Sequence, residues 1–126
     1  MAELALNPLY LTPEHVAFRA TVRRFVEAEI APGAAAWDEA GAFPRELYRK
    51  AAEVGLLAPG FPDAYGGVAD ADVFHRLVAC VELAQCGSGG LLASLLSHTI
   101  ALPPVALLGT PEMKASTRLA WSSSTT

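Results

Sequence analysis

The chain has 126 residues, enough for one domain with a real hydrophobic core and too few for two. Apolar residues make up 52% of it and mean hydropathy is +0.33, so it either buries more than its own core can hold or keeps an apolar face for a partner. A net charge of −4 argues against nucleic-acid binding, which needs clustered Lys and Arg.

The first helix is well signed. Thr12 can cap it, Pro13 suits its first position, and Glu14 favours the positive N-terminal end. Phe18, Val22, Phe25, Val26 and Ile30 then follow at three- and four-residue steps, one apolar stripe. Arg19, Arg23 and Arg24 alternate with Glu27 and Glu29 and read as a solvated face. Pro32-Gly33 breaks the helix, and a short helical piece, AAAWDEA, runs to Gly41 with Trp37 as a packing residue.

A second long helix starts at Pro44 with Glu46 in its first turn and buries Leu47, Ala51 and Val54. Gly55 sits where a left-handed C-terminal cap belongs, and Leu56 and Leu57 close over the end. The stretch GFPDAYGG, residues 60–67, then interrupts the helical pattern. Pro62-Asp63 starts a turn and Gly66-Gly67 can supply positive φ, so turn chemistry accounts for every residue except Tyr65. Asp70 and Asp72 lead a third long helix with the stripe Val73, Leu77, Val81 and Ala84, which ends at Gly87. A further helix runs from about Gly90 to Thr99, and a short one follows Pro103-Pro104 to Leu108. Thr110-Pro111-Glu112 repeats the opening of the first helix and starts another. No strand-period run and no repeat of 20–50 residues occurs, so the fold class is all-α, a bundle of about six helical segments.

Between Glu82 and Glu112 there is no Asp, Glu, Lys or Arg, and LLASLLSHTIALPPVALL has the length of a membrane span. Against insertion stand His98, the Pro pair and the lack of flanking basic residues. A buried helical pair inside a larger protein suits the same letters better, and no membrane partner is expected. Cys80 and Cys86 point to different helix faces with no His or Cys at metal-ligand spacing, so we expect reduced, buried thiols, no metal site and a cytoplasmic location. His15, His75 and His98 lie on separate helices, and no acid pair or Gly-rich strand-to-helix loop appears, so no catalytic residue is assigned.

The order of features resembles the N-terminal helical domain of the acyl-CoA dehydrogenase family. The residues that carry it are AEIAP, then WDEAGAFPRELYRKAAEVGLL, then GFPDAYGG, an acidic-start helix, an apolar helix with Pro, and LLGTPEMKA. They fit an x-I-x-P break, an F-P-x-x-L helix start, a P-x-x-x-G-G turn and a closing G-T-x-E-x-K. The resemblance covers residues 11–115, after a lead-in of 1–10, and STRLAWSSSTT (116–126) is a polar tail without the family's pattern.

The resemblance implies a flavoenzyme fragment. Such enzymes remove hydrogens from the α and β carbons of an acyl-CoA thioester, a glutamate taking the α proton and FAD the β hydride. The middle and C-terminal domains that hold the flavin and the base are not in residues 1–126, so no FAD is expected on this chain alone. By the same resemblance Leu92, Ala93, Leu96 and Ile100, one helical stripe, line the acyl pocket, and Tyr65 is a possible pocket-loop residue. Plain core packing accounts for any one of the four equally well. A buried neutral histidine satisfied by a backbone carbonyl is the reading for His98. Exposed apolar surface implies a homo-oligomer. The rival reading is a stand-alone helical module that pairs with itself or another chain through that face.

Overall fold

Thr-Pro-Glu opens α1 (Pro13–Phe25) in the computed structural model, which describes residues 8–116 other than Gly66 and Ala69. Thr12 stands in extended backbone and its hydroxyl accepts from the His15 N–H, while His15 Nδ1 accepts in return from the Thr12 N–H at 2.9 Å. Two of the N–H groups that a helix start leaves unpaired are thereby satisfied. After Phe25 the helix widens by one residue per turn over Val26–Ile30, and Ala31 N–H reaches back five residues to Val26 O at 2.8 Å. The turn at 31–33 follows, as Pro32-Gly33 predicts.

Next come α2 (Ala34–Ala40), stopped by left-handed Gly41, and α3 (Glu46–Glu53), followed by left-handed Gly55. Trp37 lies flat against Gly33, where any side chain would collide with the indole. Asp72 caps α4 (Val73–Ala84), accepting from the N–H groups of Phe74 and His75. Then follow α5 (Gly89–Leu95) and α6 (His98–Leu108), and residues 111–116 are again helical. Among the described residues there is no strand, only an isolated bridge between Pro59 and Val68. The fold is all-α. The polar tail read at 116–126 lies outside the described residues from 117 onward.

The α1 stripe is borne out: Val22, Phe25, Val26 and Ile30 are buried and Phe18 packs against them. The α4 stripe is not. Val73 is 59% and Leu77 43% exposed, and the buried side chains are Val78, Ala79, Glu82 and Leu83. The reason is Glu82, which is only 2% exposed and fixes the rotation of the helix. Its Oε1 accepts from Arg19 Nε at 2.6 Å and Arg23 Nη2 at 3.1 Å, and its Oε2 from Arg23 Nε at 2.9 Å. Burial pushes the Glu82 carboxyl up, but the hydrogen bonds from Arg23 and Arg19 outweigh it and hold the group below its ordinary value. Arg19 and Arg23 are therefore a clamp between α1 and α4 and not a solvated face. The same rotation leaves Cys80 exposed and Cys86 half-buried, both as free thiols, against the expectation that both are buried.

GFPDAYGG turns as its letters predict, with a 3-10 turn at Asp63–Tyr65 and Gly67 N–H donating to Pro62 O at 3.0 Å. The left-handed backbone expected at Gly66-Gly67 is found at Gly60, φ +94°, while Gly66 is outside the described residues. Gly67 is needed for another reason: a Cβ there would be driven into the Phe61 carbonyl. Gly67→Ala is therefore expected to lower the urea midpoint by the equivalent of about 1–3 kcal/mol. Gly89→Ala, at the open first position of α5, is expected to be neutral or stabilising by about 0.5 kcal/mol. Equal urea midpoints for the two variants would contradict this account.

The last part of the chain differs from its sequence reading. A single helix was expected to Thr99, with a break at 102–104, yet the break lies at Leu96-Ser97 and α6 runs through Pro103-Pro104. At the first change the backbone tightens to bonds three residues back, Ser97 N–H to Ser94 O (3.3 Å) and Thr99 N–H to Leu96 O (2.9 Å), and the hydroxyls of Ser97 (2.9 Å) and Thr99 (2.7 Å) reinforce the turn on the same carbonyls. The proline pair then falls past the first turn of a new helix, where its missing N–H groups leave the carbonyls of Thr99 and Ile100, and at exposed Ile100 water can serve.

Candidate functional site

Among the described residues, the apolar segment 89–108 leaves Ile100, Leu107 and Leu108 each more than three-quarters exposed. Ser88 caps α5 by accepting from Leu91 N–H at 3.2 Å and donates its own hydrogen to Asp38 Oδ1 at 2.6 Å. That anchor turns Leu91 and Leu95 into the core, where both are buried. Tyr48 OH donates to Ser94 O at 3.1 Å and ties α5 to α3. An open cleft of about 490 Å³ lies beside this contact, walled by Trp37, Phe43 and Tyr48.

The four proposed wall residues divide. Leu92 and Leu96 pack half-buried against the core, whereas Ala93 is exposed and Ile100 is 79% exposed. Ile100 belongs to α6 and not to the helix that carries Leu92 and Ala93, so the stripe crosses the Leu96-Ser97 turn. Further along α6, Leu107 and Leu108 are 78% and 88% exposed, and no residue of α6 is fully buried. The 20 residues Gly89–Leu108 have mean hydropathy 1.8 with 11% buried, so by length and composition alone they also pass as a membrane span.

GFPDAYGG meets α6. A cavity of about 320 Å³ is lined by Gly60, Phe61 and Pro62 on one side and Pro103, Ala106 and Leu107 on the other. The aromatic residue that the turn contributes to this wall is Phe61, while Tyr65 is half-buried on the 3-10 turn with its N–H donating to Pro62 O. His98 Nε2 lies 3.2 Å from Leu57 O and its ring 5.7 Å from that of Phe61, as a histidine satisfied by a carbonyl requires. Burial lowers its pKa, more than those carbonyl contacts raise it, which favours the neutral ring.

The other two histidines, read from the sequence as separate, come together. His15 Nε2 lies 2.9 Å from Asp72 Oδ1, His75 Nδ1 lies 3.0 Å from the same oxygen, and the two rings meet edge to face at 4.4 Å. Each histidine is the third residue of its helix and closes a capping box, so Thr-x-x-His and Asp-x-x-His were the signals available in the sequence.

Residues 12–118 match the profile of "Acyl-CoA dehydrogenase, N-terminal domain". The chain belongs to the acyl-CoA dehydrogenase family. It is 35% identical over 105 residues to the probable acyl-CoA dehydrogenase YngJ of Bacillus subtilis, covering 82% of this chain and 27% of that protein. With the long-chain specific mitochondrial acyl-CoA dehydrogenase of Sus scrofa it shares 35% over 99 residues, 79% of this chain and 23% of that enzyme. Among solved structures, a putative acyl-CoA dehydrogenase from Mycobacterium smegmatis superposes with TM-score 0.82 at 40% identity, over 93% of this chain and 31% of the other. A probable one from Mycobacterium abscessus gives 0.80 at 37%, over 90% and 30%. The family match thus confirms the all-α N-terminal domain, and the chain spans less than a third of the length of these relatives.

Proposed function

We propose that the chain is the N-terminal helical part of a FAD-dependent acyl-CoA dehydrogenase, with the α5–α6 face forming part of the acyl-chain wall. The observation that carries this reading is the uncovered apolar segment 89–108 on a domain of this family. Ile100, Leu107 and Leu108 stand in solvent, and a long hydrocarbon or a further domain of the enzyme is the surface that would cover them. Leu92, Ala93, Leu96 and Ile100 are the proposed wall, and Tyr65 is the proposed pocket-loop residue.

The described residues do not fit FAD by themselves. Among the described residues the glycine-rich helix start, Ser88–Gly90, has the Asp38 carboxylate held against it by Ser88, and that charge repels a diphosphate. Proton abstraction and hydride transfer need a base and a flavin held at contact distance, and this reading assigns neither to residues 1–126. The purified chain is expected to be colourless and inactive toward acyl-CoA with added FAD and an electron acceptor. It is expected to retain acyl-CoA weakly, with affinity rising with chain length by up to about 0.8 kcal/mol per buried methylene. A yellow protein whose turnover is lost on mutating Asp63 or Glu82 would overturn the reading. Chain-length-independent retention, unaltered by Ile100→Asp, would remove the wall from it.

The exposed leucines also support self-association of this chain. Sedimentation is expected to show dimers or larger species as concentration rises. A strictly monomeric chain would rule out the homo-oligomer.

A further inference from the structure

We propose that His15, Asp72 and His75 form a binding site for one divalent first-row transition ion of the Zn2+ type, bridging the starts of α1 and α4. The proposal is independent of the dehydrogenase reading. Two imidazoles and one carboxylate are a donor set suited to Zn2+ or its neighbours. Their ligand atoms all lie within 4.8 Å of one another. Bonds of about 2.0–2.2 Å in a tetrahedral site set ligand atoms roughly 3.3 Å apart. The separations of 2.9 Å (His15 Nε2 to Asp72 Oδ1) and 3.0 Å (His75 Nδ1 to Asp72 Oδ1) need a few tenths of an ångström of relaxation, and the two imidazole nitrogens, within 4.8 Å of each other, close on the ion by rotation of the more exposed His75 ring.

The ligands are also held in place. His15 is 2% exposed, and its ring lies against Phe74 and His75. Both histidines and Asp72 sit at the ends of the two helices locked together by Glu82, Arg19 and Arg23. The Asp72 side chain is 49% exposed, so water can reach the remaining coordination positions.

The proton balance is simple. In the metal-free arrangement His15 Nδ1 accepts from Thr12 N–H, which places the ring proton on Nε2 and directs it at Asp72. An ion on Nε2 displaces that proton; the tautomer moves, and Nδ1–H then faces Thr12 Oγ1, 3.2 Å away, as its outer-shell acceptor. His75 Nδ1 exchanges its bond from Asp72 N–H, 3.2 Å, for the ion. The His15 proton moves from one ring nitrogen to the other and His75 already presents a bare Nδ1, so two neutral histidines release no proton, and acid weakens binding only by protonating the imidazoles.

The test is titration of the full chain with Zn2+, and with Co2+ as a spectroscopic probe, at neutral pH. One equivalent of Zn2+ is expected to bind, raising Tm with concentration. Asp72→Asn keeps a capping side chain as good as Asp while removing the carboxylate, and His75→Gln removes an imidazole. Each is expected to weaken binding by roughly tenfold or more, since even outer-shell changes cost 10–100-fold. If Asp72→Asn fails to fold, His75→Gln carries the test. Absence of Zn2+ binding to the parent, or equal binding by a folded variant, overturns the proposal. A Co2+ spectrum with thiolate charge transfer overturns it too, placing the ion on Cys80 or Cys86.

Discussion

Val22→Asp is expected to abolish cooperative folding, while Leu77→Asp is expected to melt close to the parent. Val22 is 0% exposed, in the last turn of α1 and part of the core cluster. An unpaired carboxylate there costs several kcal/mol or forces its own protonation. A domain of this size has only about 5–15 kcal/mol in hand, and less where an apolar face is uncovered. Leu77 is 43% exposed on the outer side of α4, so an Asp there reaches water and the change stays within about 1 kcal/mol. The sequence pattern treats the two positions alike, and only the structure separates them. Urea unfolding followed by circular dichroism decides the matter. A Leu77→Asp protein that unfolds like Val22→Asp would mean that the outer face of α4 is covered in solution.

What the sequence made legible is what local chemistry controls. Thr12, Asp72, Gly41, Gly55 and Gly87 act at helix ends where side-chain oxygens or the absence of a Cβ decide the outcome within one turn. The α1 stripe was legible because no charged residue had to be buried in it. On α4 the same rule failed, since counting apolar letters cannot include Glu82, whose burial depends on two arginines 59 and 63 residues earlier. The His15–His75 meeting is hidden in the same way: each capping box is local, but their contact exists only once α1 and α4 pair. The Leu96-Ser97 break was missed because a Pro pair is a louder signal than the two hydroxyls that reinforce this turn. The wall of Leu92, Ala93, Leu96 and Ile100 came from family resemblance alone. The geometry adds that its members sit on both sides of a turn and that Phe61 and Leu107, outside the four, line a common cavity.

Glu82→Ala is expected to cost about 3 kcal/mol at neutral pH. Breaking a buried ion pair by removing one partner typically costs about 3–5 kcal/mol, because the charge left behind has lost its compensation. The lower end applies here. The Arg23 side chain is 40% exposed and can turn to solvent, whereas Arg19, at 17%, is more tightly confined. Replacing all three by apolar residues of similar volume (Arg19→Met, Arg23→Met, Glu82→Leu) is expected to recover most of the loss, since no charge is then left without a partner. The effect carries a pH signature. The folded state holds the Glu82 carboxyl below its ordinary value of 4.5, so its contribution is fully present above that pH. It is lost as pH falls through the lowered folded value, where the parent must also protonate. Urea midpoints of parent and Glu82→Ala should therefore differ at neutral pH and converge in acid. Added salt should change the difference little, because the carboxylate is out of reach of screening ions. A gap under about 1 kcal/mol at neutral pH, or one that persists unchanged in strong acid, would show that Glu82 does not hold α1 and α4 together.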